Sequence, residues 1–260
     1  MSRFFVEKNN IYGDNTGDKI IITGDDYNHI KTVLRCKVGE TLILCDGEKN
    51  DFTVRIDAFE ANRIITTILH KQENNTEPLA SVTLFQSIAK GEKMDFIIQK
   101  CVELGVKSIV PVVTERTVVR LGDGKDKIKK RERWQRIALE AAKQCNRGII
   151  PQVELPLMFS EVIEKANKFH LSMIPYEREK DFTLRYVLAD FKKKMLGYKK
   201  AEIAIFIGPE GGFSEKEVEA GTKAGLIPIT LGPRVLRTET AALAVLSIIM
   251  YELEAMEFAE

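Results

Sequence analysis

Two short loops carry the residue types from which a ligand site is built. The first is Gly208-Pro209-Glu210-Gly211-Gly212. The second runs Leu231-Gly232-Pro233-Arg234-Val235-Leu236 and is followed by Arg237. Glycine has no Cβ, so its backbone N–H and C=O groups can come close to a bound molecule. A phosphate cradle normally adds a lysine after the glycines. Here Glu210 stands inside the first loop, which disfavours a polyanion and suits a cationic or neutral ligand. For either loop alone, a tight turn without a ligand is the simpler reading. Two in tandem, the second bearing Arg234 and Arg237, favour a site.

The elements that must position these loops can be read on either side of them. An apolar run over 203–207 precedes the first loop and another over 226–231 leads into the second, each suited to a buried strand. Ser214 and Glu217 have the spacing of a capping box, and Thr238 is placed to cap a last helix. Two strand–loop–helix units therefore put glycine-rich loops at the carboxyl ends of strands, where open α/β sheets bind ligands.

Composition narrows the function classes. The chain has 260 residues, with 39 Lys and Arg against 38 Asp and Glu, a formal net charge of +1. A global basic field is absent, so any nucleic-acid site must be a local patch. Cys36, Cys45, Cys101 and Cys145 form no C-x-x-C pair and read as reduced thiols, which with no secretory signal pattern leads us to expect a cytoplasmic protein. His29, His70 and His170 are scattered without metal spacing, so no metal is expected. The most apolar stretch, 241–250, is shorter than the roughly 20 helical residues a bilayer requires. It reads as a buried helix, and no membrane association is expected.

The pattern changes character along the chain. Residues 1–71 hold short apolar or alternating runs over 20–22, 41–44, 52–56 and 64–69, separated by turn residues, with one helical piece on which His29, Ile30, Val33 and Leu34 share a face. A small closed β-barrel with one helix satisfies this pattern. Residues 72–79, covering all but the first residue of the polar stretch KQENNTEP (71–78), read as a linker. From 80 to 260, strands and helices alternate, which predicts a mostly parallel sheet covered by helices. No G-x-G-x-x-G follows the first strand of this part, so a dinucleotide fold is disfavoured. A helix over 128–147 carries a core stripe of Trp134, Ile137, Ala138, Ala141, Ala142 and Cys145. On another face, Lys129, Arg133, Arg136, Glu140, Lys143 and Arg147 form a row that is basic at five of six positions, either an ordinary solvated face or a phosphate-facing one. A lysine-rich segment over 180–200 reads as an exposed helix plus loop.

The stretches IGPEGGFS and LGPRVLRTETA, with KGEKMDFIIQKCVELGV and HIKTVLRCKVGE upstream, resemble the RsmE family over the whole chain. These are methyltransferases of the knotted SPOUT class that methylate N3 of a uridine in bacterial 16S ribosomal RNA, uracil 1498. The resemblance implies a PUA-like RNA-binding barrel followed by a SPOUT α/β domain with a trefoil knot. It implies S-adenosylmethionine as methyl donor, held by Pro175, Tyr176, Ile207, Gly208, Pro209, Glu210, Gly211, Gly212, Leu231, Gly232, Arg234, Val235, Leu236, Thr240 and Ala241. It implies a homodimer acting on 16S rRNA or the 30S subunit, with Arg3, Arg35, Lys90, Arg116, Arg133, Arg136 and Arg147 as RNA contacts; Lys31 and Lys37 are further basic candidates. For N3 methylation, Arg237 is the candidate to stabilise charge developing on the uracil carbonyls, with Arg234 second. Glu239 would accept the N3 proton or orient Arg237, although helix capping and dipole compensation explain Thr238 and Glu239 equally well. A SPOUT enzyme acting on another RNA such as tRNA, or a non-catalytic RNA-binding assembly factor, are the rival readings.

Overall fold

The computed structural model describes residues 3–195 and 200–254. It divides into two compact units, residues 1–77 with 142–150, and residues 78–141 with 151–260.

The first unit is a mostly antiparallel sheet. Its strands are β1 (Arg3–Phe5), β2 (Ile11–Tyr12), β3 (Lys19–Thr23), β4 (Thr41–Cys45), β5 (Asn50–Glu60) and β6 (Arg63–Glu73), in the spatial order β1-β4-β5-β6-β3-β2. β1 pairs parallel with β4, and the other pairings are antiparallel. The terminal strands β1 and β2 do not pair with each other among the described residues, so hydrogen bonding does not close the expected barrel. Alternation puts Ile20, Ile22, Leu42, Leu44, Val54, Ile56, Ile64 and Ile68 into one core. The helical piece is α1 (Gly24–Asn28) continued by a π-helical turn over His29–Val33. Of the face expected there, Ile30 is buried and Val33 lies outside.

Two boundaries differ from the sequence reading. β6 continues to Glu73, so the segment read as linker begins as strand. Residues 142–150 join the first unit because buried polar bonds hold them there. Arg3 forms a bidentate pair with Asp51 (2.6 and 2.7 Å) and donates to the Arg147 carbonyl at 3.0 Å. The Arg147 guanidinium pairs with Glu77 at 2.6 Å, and the Gly148 and Ile149 N–H groups donate to the same carboxylate.

The second unit is a parallel sheet with helices. In chain order its elements are β7 (Ala80–Ser87), α2 (Lys93–Glu103), β8 (Ser108–Val113), α3 (Gly124–Gln144), β9 (Gln152–Val153), β10 (Leu157–Met158), α4 (Phe159–Ile163), β11 (Leu171–Pro175), α5 (Leu184–Lys194), β12 (Ala201–Ile207), α6 (Glu215–Lys223), β13 (Ile227–Ile229) and α7 (Thr238–Glu254). The strand order is β10-β8-β7-β12-β11-β13, with β9 beside β8 and every pairing parallel. β7 is buried at all eight positions, as a central parallel strand requires. Phe85 stacks on Phe206 with ring centroids 4.3 Å apart. α3 begins four residues before the expected start and ends at Gln144, which leaves Arg147 beyond its end. α5 is amphipathic rather than simply exposed: Thr183 caps it, and Leu184, Val187, Leu188 and Phe191 are buried. Residues 196–199 of that lysine-rich segment lie outside the described residues.

Candidate active site

Three strands of the second unit deliver their carboxyl ends to one place. β11 ends at Pro175 and β12 at Ile207. β13 ends at Ile229, two residues before Leu231. The loops that follow line a cavity of about 290 Å³. Its walls include Pro175, Tyr176, Ile207, Gly208, Pro209, Glu210, Gly211, Gly212, Leu231, Gly232, Arg234, Val235, Leu236 and Ala241, all expected from the sequence. Thr240 departs from the expectation. One helical step from Ala241, it faces a neighbouring groove with Glu92, Lys93, Phe96, Glu239 and Leu243.

Local chemistry fixes the loops. The capping box forms as the spacing predicts. Ser214 N–H donates to Glu217 at 2.9 Å, and Glu217 N–H donates to the Ser214 hydroxyl at 3.4 Å. The second oxygen of Glu217 also accepts the Glu115 N–H at 2.8 Å, which ties the segment after β8 to α6. Gly212 sits at φ +67°, a left-handed conformation that favours glycine, and its N–H closes a turn onto the Pro209 carbonyl at 2.9 Å. Gly211 is needed for a different reason. A Cβ there would lie 3.3 Å from the Cβ of Arg116, whose Nη1 donates to the Gly211 carbonyl at 2.8 Å. Tyr176 N–H donates to the Ile229 carbonyl at 3.0 Å, tying the start of the loop after β11 to the end of β13.

The cavity carries two carboxylates. Glu210 lines it, accepts the Lys90 N–H at 3.1 Å and lies 3.4 Å from the Lys93 ammonium. Burial alone would raise its pKa. Its own N–H, the Lys90 N–H and the Lys93 charge outweigh burial and hold it below the usual carboxylate range. Glu177 is the second, and the sequence reading missed it although it adjoins Pro175-Tyr176. Phe213, Thr230 and Thr238 were missed as well. Each sits beside a residue already identified, so the signal was adjacency to the loops. Arg234 is the one cationic side chain among the lining residues.

The proposed catalytic pair is only partly assembled. Arg237 lies between two lining residues, is exposed, and makes no ion pair among the described residues. Glu239, in the first turn of α7, faces Lys93 at 3.6 Å, so its partner is Lys93 and not Arg237.

The basic residues separate into two groups. Arg3 and Arg147 are corrected: their side chains are 4 % exposed, engaged with Asp51 and Glu77, and cannot reach a phosphate. Lys143 from the same row pairs with Asp26 at 2.9 Å. Arg35, Lys90, Arg116 and Arg136 are exposed; Arg133 is exposed and paired with Asp95. Arg35 is held at φ +55° two residues after the π-helical turn, with Lys31 within that turn and Lys37 beyond it both exposed. Among the described residues, no group of three or more His, Cys, Asp or Glu is placed to hold a metal ion, and no helix is long and apolar enough to cross a membrane.

Comparison with known proteins agrees with this geometry. Residues 75–250 match the RNA methyltransferase domain family, and residues 22–69 match the RNA methyltransferase PUA domain family. The chain is 33% identical over 259 residues to ribosomal RNA small subunit methyltransferase E of Bacillus subtilis, covering 98% of each chain. It superposes with a TM-score of 0.82 on the Neisseria gonorrhoeae ribosomal RNA small subunit methyltransferase E bound to S-adenosyl methionine, at 32% identity and covering 96% of this chain and 97% of that one. A methyltransferase from Legionella pneumophila in complex with the same cofactor gives 0.82 at 33% identity, covering 96% of each chain. With two family models matching in order and relatives aligned end to end, the chain belongs to the ribosomal RNA small subunit methyltransferase E family, with an N-terminal PUA-like sheet and a C-terminal parallel α/β SPOUT methyltransferase domain.

Proposed function

We propose that this chain is an S-adenosylmethionine-dependent methyltransferase acting on N3 of a uridine in 16S rRNA, free or within the 30S subunit. The observation that carries the reading is the convergence of three loops, two of them bearing glycine and proline, at the carboxyl ends of parallel strands on one cavity with two carboxylates. The relatives with this architecture include proteins that hold the cofactor. The residues present fit it. Glycine backbone groups serve an adenosine, Leu231 and Leu236 supply apolar walls, and Glu177 and Glu210 suit a cation. When bound, the cofactor supplies an electrophilic methyl group. The chain's own residues do the rest. Glu239 takes the N3 proton, and Arg237 stabilises the negative charge that develops on the uracil carbonyls. No metal enters this reading.

The first unit, with the expected RNA-binding domain 1–71 at its heart, captures RNA through Arg35, Lys31 and Lys37. The catalytic part, set after the 72–79 segment and running to 260, presents Lys90, Arg116, Arg133 and Arg136. The trefoil knot of the SPOUT class is part of the proposal. So is a homodimer, supported by an unpartnered apolar strip on α2 and α7. Phe96, 44 % exposed, shares a groove with Leu243 and Ala244, and Ile248 and Tyr251, further along α7, are 42 % and 75 % exposed. The place of action is the cytoplasm, where ribosomal subunits are made. The test is mass spectrometry of 16S rRNA from a strain lacking the gene. We expect 3-methyluridine to be absent at one position and restored by the intact gene. An unchanged modification profile would overturn the assignment.

A further inference from the structure

Gln86 and Ser87 are polar residues at the end of the most buried strand in the protein, and both are fully inaccessible. An apolar pair would avoid the desolvation cost of a buried amide and hydroxyl. The bonds of Gln86 supply a reason for it. Its Nε2 donates to the Ser87 carbonyl at 2.9 Å and lies 3.0 Å from the Thr238 hydroxyl. That hydroxyl lies 2.6 Å from the Gly208 carbonyl. Directions follow from the acceptors. A carbonyl can only accept, so Thr238 gives its single proton to Gly208 and must receive one from Gln86. The Ser87 carbonyl independently requires the NH₂ side of the amide in the same place. The result is one directed chain: Gln86 amide to Thr238 hydroxyl to Gly208 carbonyl.

Its ends matter for the cavity. Gly208 opens the loop after β12, and Thr238 closes the loop after β13 and starts α7. Both residues line the cavity; Gln86 does not. In the sheet, Gln86 sits opposite Ile207, the last residue of β12, so the link starts from the rigid floor of the site. No other hydrogen bond between the 208–212 loop and residues 230–238 occurs among the described residues.

We infer that Gln86 is a positioning residue for cofactor binding, which acts through Thr238 to lock the two glycine-rich loops in register. This rests on the functional reading above. Remove the amide donor and the Thr238 hydroxyl is free to turn from Gly208. The two loops then lose the one direct hydrogen bond between them among the described residues, and the ligand must order them on binding.

The experiment is calorimetric titration of the full-length protein with S-adenosylmethionine, alongside thermal unfolding without ligand. The variants are Gln86→Met, Thr238→Val, Thr238→Ser and the double Gln86→Met/Thr238→Val. We expect Gln86→Met and Thr238→Val each to weaken binding about tenfold, equal to ~1.4 kcal/mol. Thr238→Ser should recover most of the affinity, since it keeps the hydroxyl. The double variant should be little weaker than either single, because both break one chain. Equal loss in Thr238→Ser and Thr238→Val, or multiplicative losses in the double, would overturn the inference. If Gln86→Met does not fold, the Val and Ser pair at Thr238 decides alone. Wild-type protein that binds no cofactor would instead sink the functional reading, whereas wild-type binding with unaffected variants sinks only this one.

Discussion

Gly211→Val tests whether the first loop must approach its ligand as backbone. Gly211 is not in a left-handed conformation, so valine meets no intrinsic backbone penalty there. The obstacle is spatial. The new Cβ would lie 3.3 Å from Arg116 Cβ and 3.5 Å from its Cδ, and two γ-methyls follow it. Arg116 is exposed, so its Cγ and Cδ can swing away at the cost of its bond to the Gly211 carbonyl, while its Cβ stays and the loop backbone gives by a few tenths of an ångström. Overpacking a fully packed site costs about 1–3 kcal/mol. With a mobile neighbour the lower end applies, and lost loop order adds about 1 kcal/mol for the missing hydrogen bond. Together about 2 kcal/mol falls on the cofactor-binding form, roughly a 30-fold rise in Kd. Stability should change far less, because the loop can relax in the free protein. Calorimetric titration with S-adenosylmethionine reads the affinity, and thermal unfolding confirms the fold. Arg116→Ala alone should cost only the hydrogen-bond share. Combined with Gly211→Val, it removes the Cδ contact but keeps the Cβ contact, and the pair is less than additive because both changes lose the same hydrogen bond. A folded Gly211→Val protein with wild-type affinity would remove this loop from the site.

Arg147→Ala strands the Glu77 carboxylate in the interior and should cost about 3–5 kcal/mol of stability; urea unfolding at neutral pH measures it, and a near-wild-type midpoint would mean that the pair is not buried in solution. Replacing Arg133 and Arg136 together by Ala should weaken binding of 16S rRNA and reduce the salt slope by about two phosphate contacts, with cofactor affinity untouched; an unchanged slope would show a merely solvated face. Arg237→Ala should keep cofactor and RNA binding yet lose about 10²–10³ in single-turnover rate, about 3–4 kcal/mol, and a near-normal rate would exclude it from the chemical step.

Local rules carried the second unit further than the first. The 203–246 stretch was legible because each signal in it is short range: an apolar strand, glycines, a Ser-x-x-Glu box and the next apolar strand. Short-range bonds then formed as the spacing required, with Ser214 and Glu217 capping each other. The failures share a different cause. Arg147 was grouped with Arg133 and Arg136 by helical spacing, but α3 ends at Gln144 and the chain turns inward. Its partner Glu77 is 70 residues away, and no periodicity encodes that pairing. Arg3 and Asp51 fail in the same way, 48 residues apart. Glu239 was matched with Arg237, two residues away, whereas α2 supplies Lys93 from the far side of the sequence. Charged side chains choose partners in space, and sequence spacing predicts their partners only within one helix.

That choice of partners also explains how a chain with a net charge of +1 can present basic surface. Arg3, Arg147 and Lys143 are matched inside the first unit by Asp51, Glu77 and Asp26, and these pairs contribute nothing to the outside field. Acids nearer the surface are matched locally as well, as in the exposed Glu60 with Arg63 and the half-buried Glu103 with Lys100. Arg35 and Arg136 stand differently: both are exposed and neither makes an ion pair among the described residues. Total charge counts every group equally, but screening over about 8–10 Å leaves only local, unmatched groups to attract a phosphate. The same accounting runs in reverse in the cavity. Glu177 and Glu210 line it against the single cation Arg234, and Lys93 of the neighbouring groove is shared between Glu210 and Glu239. Acids thus outnumber bases by one in the lining of a nearly neutral protein, the sign that suits a cationic methyl donor.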